Sequence, residues 1–195
     1  MADMNKLMES LQKHGFQVSR FATAAQAADY LDGQIDGKTV GIGGSVTIQQ
    51  MGLADRLQSH NTLLWHWSGS SPQDAAGAQV YLSSVNGAAE TGELINIDGT
   101  GNRVASGLFG HEKVYFIIGV NKVAPDYASA LWRARNIAGP RNAQRLGVQT
   151  PCAAKGDKCY DCSSPQRICS ALVVYWQKPK SMDFEVVLVD EELGY

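Results

Sequence analysis

No run of apolar residues in this sequence approaches the ~20 that a helix needs to cross a bilayer. Nor is there a basic tract. The formal net charge is −2, so nothing electrostatic points to nucleic acid or to insertion at an anionic membrane surface. The start, MADMNKLMESLQKHG, lacks the apolar stretch and cleavage site of a secretory leader. Cysteine is missing before residue 152 and after residue 169. Internal repeats and low-complexity segments are missing too. These absences lead us to expect a cytoplasmic chain, in a compartment where thiols stay reduced and structural disulfides are rare.

What is present suits a packed core. Hydrophobic residues make up 44% of the 195 and charged residues 18%, too apolar and too weakly charged for a disordered chain. The length fits one domain, 1–195. Leu7, Met8 and Leu11 share a helical face, so residues 4–13 are expected as a helix. Residues 16–21 read as a short strand. Thr23 can cap a helix to residue 31, with Gly33 as its stop. A strand at 39–42 runs into glycines, and Ser45 can cap a helix over 46–59. Further strands are expected at 61–67 and 79–85, around a short helix or loop at 70–77. A glycine-rich polar passage, 86–101, contains an extended piece at 93–97. KVYFIIG, at 113–119, is the clearest buried strand. Pro125 suits the first turn of a helix reaching residue 137. Residues 139–158 have a linker-like composition. Strands at 171–176 and 184–189 follow the cysteine segment. Strands alternating with helices predict an α/β fold of three layers: a mainly parallel sheet with helices on both faces.

The four cysteines fall in one loop-like stretch, PCAAKGDKCYDCSSPQRIC, spaced C-x6-C-x2-C-x6-C. Core cysteines would scatter along the chain. Thiolates are soft ligands, and four of them suit a cubane cluster or a tetrahedral zinc. In the central CxxC, one turn presents two sulfurs, and Gly156 and Pro165 supply bends that bring in the outer pair. Lys155, Lys158 and Arg167 offset thiolate charge. Zinc sites usually pair two CxxC knuckles, whereas this segment has one. The spacing therefore favours an iron–sulfur cluster, of the 4Fe–4S type, held by Cys152, Cys159, Cys162 and Cys169. Zinc, or free redox-active thiols, are the alternatives.

Two other segments carry candidate chemistry. TVGIGGSVTI, residues 39–48, runs from strand through glycines to a helix start, an arrangement that favours an anion. Gly43, Gly44, Ser45 and Thr47 are its candidate ligand-binding residues. It is neither a Walker loop nor a dinucleotide fingerprint. A plain strand–helix turn with a serine cap explains it equally well. NGAAETGELINIDGTGNR, residues 86–103, gathers Glu90, Glu93, Asp98, Asn102 and Arg103. Glu90 and Asp98 are candidate catalytic carboxylates; Glu93, Asn102 and Arg103 are candidate ligand contacts. Solvated turn residues are the competing explanation. Lys122 follows the best buried strand and is a candidate for contact with an anion or a substrate carbonyl. His66, between two tryptophans, is expected to be packed rather than catalytic.

GIGGSVTIQQMGL, ETGELINIDGTGNRVASGLFG, KVYFIIGVNKV and the TPC…C..C…RIC segment occur in this order. The combination resembles the LUD-domain family, the lactate-utilisation proteins long filed as a domain of unknown function. The resemblance covers about residues 5–195. It implies a fold like that of the ribose-5-phosphate isomerase, glucosamine-phosphate deaminase and CoA-transferase superfamily. It also implies a role in bacterial L-lactate oxidation, alongside partner subunits that carry iron–sulfur clusters. In that superfamily the early glycine loop binds phosphate or carboxylate, which would be residues 41–47 here. The alternative is a stand-alone enzyme that acts on a small anionic metabolite, and a homo-oligomer is left open.

Overall fold

The computed structural model describes residues 2–195. Its centre is a six-stranded, wholly parallel sheet of β1 (Gln17–Phe21), β2 (Thr39–Ile42), β3 (Thr62–Trp65), β4 (Val80–Ser83), β7 (Lys113–Gly119) and β10 (Asp183–Val189). The strand order is β1-β10-β7-β4-β2-β3. The middle strands are mostly apolar because both faces are covered, with Lys113, Ser83, Asp183 and the buried Glu185 among the exceptions. In β7, Tyr115 and Ile117 face one side while Val114, Phe116 and Ile118 face the other.

The first face is covered by helices. α2 (Ala24–Gln34) starts on a capping box of Thr23 and Gln26. α3 (Val46–Gln50) and α4 (Leu53–Leu57) follow β2. Their Leu31, Ile48, Leu53 and Leu57 pack against Val40, Ile42, Leu82 and Val187. The one helix expected over 46–59 is thus two. Gly52, at φ 61, takes a left-handed conformation that breaks it.

The second face is covered differently from expectation. α1 (Met4–Lys13), capped by Asp3, buries Met4, Leu7 and Leu11 there. Beside it lies a second sheet, β8-β5-β6-β9, of β5 (Gly87–Ala89), β6 (Leu94–Asp98), β8 (Val123–Ala124) and β9 (Ala171–Tyr175). The polar passage at 86–101 is therefore largely an antiparallel hairpin: Gly87 pairs with Ile95, and Asn86 N–H donates to Ile95 O. Gly87 is required, since a Cβ there would lie 2.5 Å from Ala130 O. α7 (Tyr127–Arg133) packs across this sheet through Ala130, and Ala134, just beyond its end, joins the same cluster. The three-layer α/β architecture stands, with a small sheet in place of some of the expected helices.

The stretch at 127–146 is nearly continuous helix. α7 passes through a π-helical segment, Ala134–Ala138, into α8 (Gly139–Leu146). It begins at Tyr127 under an Asp126 cap; Pro125 precedes it rather than starting it. Pro140 has no N–H to complete a regular turn, and the wider turn sits just before it. The linker-like composition at 139–158 is in fact α8 and α9 (Pro151–Lys155), joined by a short turn. The remaining short elements are α5 (Pro72–Ala76) and α6 (Asn102–Leu108). Among the described residues no helix is long and apolar enough to cross a membrane.

Candidate functional site

The chain leaves β2 for β3 in one direction, and leaves β4 for β7 in the other. Loops diverge where two neighbouring strands part in this way, and open α/β sheets keep their ligand crevice there. A cavity of about 70 Å³ lies at this point, lined by Gly44, Ser45, Thr47, Ser84, Lys122 and Arg103, among others. Residues 44–45 follow the end of β2, and residues 84–86 the end of β4. Lys122 follows β7, and residues 190–195 follow β10.

Arg103, Arg145 and Lys122 line this cavity, and among the described residues no Asp or Glu side chain does. Lys122 is 3% exposed. Its Nζ donates to Thr47 Oγ1 at 2.8 Å and to Ser84 Oγ at 2.9 Å. Burial, reinforced by Arg133 and Arg103, lowers its pKa to about 7. Arg103 is locked in place: Nη1 donates to Asn96 Oδ1 at 2.6 Å, and Nη2 donates to Ile97 O and to Asn86 Oδ1. Arg145 lies over the Trp67 ring at 5.0 Å and donates through Nε to the Tyr195 hydroxyl and to Asn142 Oδ1. Behind the cavity, Arg133 donates to the carbonyls of Asn121 and Asn86. Burial pulls that guanidinium down to about 10. The arrangement concentrates positive charge in a partly dry recess and fits a small anion.

The candidate residues divide sharply. Gly44, Ser45, Thr47, Arg103 and Lys122 meet at this cavity. Ser45 Oγ also caps α3. Gly43 does not line it. A Cβ there would strike the Tyr81 hydroxyl at 2.6 Å and Arg103 Cγ at 3.1 Å, so Gly43 makes room for Arg103 rather than for a ligand. Glu90 lies elsewhere and anchors the first helix, accepting from Asp3 N–H and pairing with Lys6. Glu93 accepts from the Thr91 hydroxyl in the β5–β6 turn. Asp98 accepts from the backbone N–H groups of Thr100, Arg103 and Val104, so it holds the start of α6. Asn102 opens α6 and lines neither this cavity nor the one beside it. His66 packs beside Gly44, with burial and Arg145 depressing its pKa. Arg145, Asn142, Ser84 and Tyr195 were not legible as site residues. Arg145 and Asn142 sit on α8, where composition suggested a linker.

A second cavity, of about 320 Å³, is lined by all four cysteines together with Thr150, Arg135, Asp161 and Arg167. Most of the sulfurs have a hydrogen-bond donor or partner. Arg167 Nε lies 3.1 Å from Cys169 Sγ. Asp161 N–H and Arg135 Nη2 donate to Cys159 Sγ at 3.4 and 3.8 Å. The Thr150 hydroxyl is 3.3 Å from Cys152 Sγ. Asp161 holds a positive φ of 46, and its N–H reaches the sulfur from that conformation. Lys155 and Lys158 turn to the Tyr160 ring instead. The thiols stand around a space rather than a point. Among the described residues no three His, Cys, Asp or Glu side chains are grouped to hold a single metal ion. A tetrahedral zinc at about 2.3 Å from each sulfur would need such grouping. The four thiols are soft donors that line one cavity.

The two cavities adjoin. Ile97, Gly139, Ile168 and Cys169 line both. The π-helical turn before Gly139 puts the start of α8 between them.

The chain matches, over residues 4–189, a family model described as the LUD domain. No curated protein matches it. Among solved structures, a crystal structure of a DUF162 family protein from Deinococcus radiodurans aligns at a TM-score of 0.55 and 11% identity, over 95% of each chain. At that identity the likeness is one of fold.

Proposed function

We propose a function from the premise that this chain belongs to the LUD-domain family: it serves the oxidation of lactate or a related 2-hydroxy acid. In this proposal the cavity beside Lys122 receives the acid's carboxylate, and Cys152, Cys159, Cys162 and Cys169 hold an iron–sulfur cluster. The observation that carries the proposal is the shared wall, with Cys169 lining both cavities. A cluster bound by these thiolates would supply one-electron transfer to redox partner subunits.

The chain's own residues have distinct tasks. Arg103 has its donors engaged by protein oxygens, so it contributes charge rather than a direct grip. Arg145 is held by Trp67, Asn142 and Tyr195 and is the cation best placed to pair with a carboxylate. Ser45 and Thr47 add hydroxyls beside it. Arg167 Nε donates to the Cys169 sulfur, and the Thr150 hydroxyl lies 3.3 Å from the Cys152 sulfur.

Anaerobic iron and acid-labile sulfide analysis tests the cluster. Iron and sulfide in equal amounts, lost in Cys162→Ser, is the expected result. Iron-free protein after anaerobic reconstitution would refute it. A second reading is favoured by the position of the cavity at the parting of β2 and β4. It makes the chain a stand-alone enzyme that acts on a small anionic metabolite on an isomerase- or CoA-transferase-like scaffold. Anion binding in a metal-free protein, without redox activity, would select it.

A further inference from the structure

The amine of Lys122 has two hydrogen-bond partners, and both are hydroxyls. Each hydroxyl has a carbonyl to receive its own proton: Ser84 Oγ lies 2.5 Å from Ile117 O, and Thr47 Oγ1 lies 3.3 Å from Leu193 O. Both oxygens are thus free to accept from Nζ. An ammonium carries three donors. Among the described residues only two acceptors stand within reach of Nζ. A neutral amine carries two donors and a lone pair, which matches the two acceptors. No carboxylate pairs with Lys122 among the described residues, and Arg103 and Arg133 are its charged neighbours. Burial and those two cations both favour the uncharged amine.

We propose that Lys122 is a nucleophile that forms an imine with a small 2-oxo acid in this cavity. The inference rests on reading the cavity as a carboxylate site. It does not need the cluster. The lone pair attacks the carbonyl carbon, a C–N bond forms, and the carbonyl π pair moves to oxygen, which takes up a proton. The carbinolamine then expels that oxygen as water, with the N–H proton balancing the loss. One imine and one water result, and no oxidant or reductant is consumed. Several features of the cavity select this class of ligand. A volume of about 70 Å³ admits few heavy atoms. Arg145 offers a cation for the carboxylate, and the amine lines the same recess. The oxidation of a 2-hydroxy acid yields a 2-oxo acid, so the imine would hold that product in place until water reverses the step.

The test uses the whole protein, with pyruvate as probe and sodium cyanoborohydride to trap the imine, followed by peptide mapping by mass. Parallel thermal shifts with pyruvate report binding without chemistry. The expected result is a reduced adduct on Lys122, absent in both Lys122→Arg and Lys122→Met, and absent when cyanoborohydride or pyruvate is omitted. A pyruvate-dependent thermal shift with adducts confined to exposed lysines such as Lys6 and Lys155 would overturn the imine and leave the carboxylate site standing. Neither shift nor adduct would overturn both.

Discussion

The Nε of Arg167 stands 3.1 Å from the Sγ of Cys169, and the same guanidinium donates through Nη1 to Cys162 O. Cys169 in turn lines the anion cavity as well as the cysteine cavity. One arginine therefore touches the sulfur at the junction of the two spaces.

Hydrogen bonds to cluster sulfurs stabilise the more negative, reduced state. Arg167→Gln removes a charge-assisted donor from Cys169. In anaerobically reconstituted protein its midpoint potential, read by an EPR-monitored titration, is expected below that of the wild type. Thr150→Val should act in the same direction through Cys152. An unchanged potential in both variants would mean that these contacts do not reach a cluster.

Arg103 ties four oxygens from Ser84, Asn86, Asn96 and Ile97 into one half-buried knot. Arg103→Met leaves those acceptors without their charged donor, and each such bond is worth about 1.5–3 kcal/mol. Because neighbouring losses overlap, the expected total cost is about 3–5 kcal/mol. The melting temperature should fall by roughly 6–20 °C, at about 2–4 °C per kcal/mol for a chain this long. Differential scanning calorimetry checks this, and a fall under a few degrees would assign Arg103 to the ligand alone.

Lys122 makes stability depend on pH with a definite sign. In the folded chain its pKa is lowered to about 7, while in the unfolded chain it returns to about 10.4. Between these values the unfolded state binds the extra proton, so stability rises with pH by up to about 1.4 kcal/mol per unit. Below pH 7 both states are protonated and this contribution levels off. Lys122→Met should flatten the urea-denaturation profile between pH 7 and 10 relative to the wild type. Parallel profiles for the two proteins would mean that the folded lysine keeps its ordinary pKa.

The sequence made the parallel sheet legible through its short apolar runs, since β7 and β10 are buried on both faces and are apolar but for Lys113, Asp183 and Glu185. Two strands of the second sheet, β6 and β9, were legible as the extended piece at 93–97 and the strand at 171–176, but their pairing into a sheet was hidden. Gly87–Ala89 and Leu94–Asp98 are short, and their pairing is set by contacts with α1 and α7 rather than by local propensity. Ser45, Thr47, Arg103 and Lys122 could be picked out because they follow strand ends. Glu90, Glu93, Asp98 and Asn102 share that neighbourhood in sequence but serve local structure: Glu90 and Glu93 flank the β5–β6 turn, Asp98 holds the start of α6, and Asn102 opens that helix. Arg145 was out of reach. Its helix reads as polar, and only tertiary packing against Trp67 and Tyr195 brings it to the cavity.

The union of the two cavities is tested most directly by the EPR spectrum of the reduced, anaerobically reconstituted protein, titrated with L-lactate. The proposed function predicts an iron–sulfur signal that shifts saturably as the acid fills the cavity beside Cys169, with the shift lost in Arg145→Met. A cluster signal unmoved at saturating acid, or no iron signal at all, would contradict it.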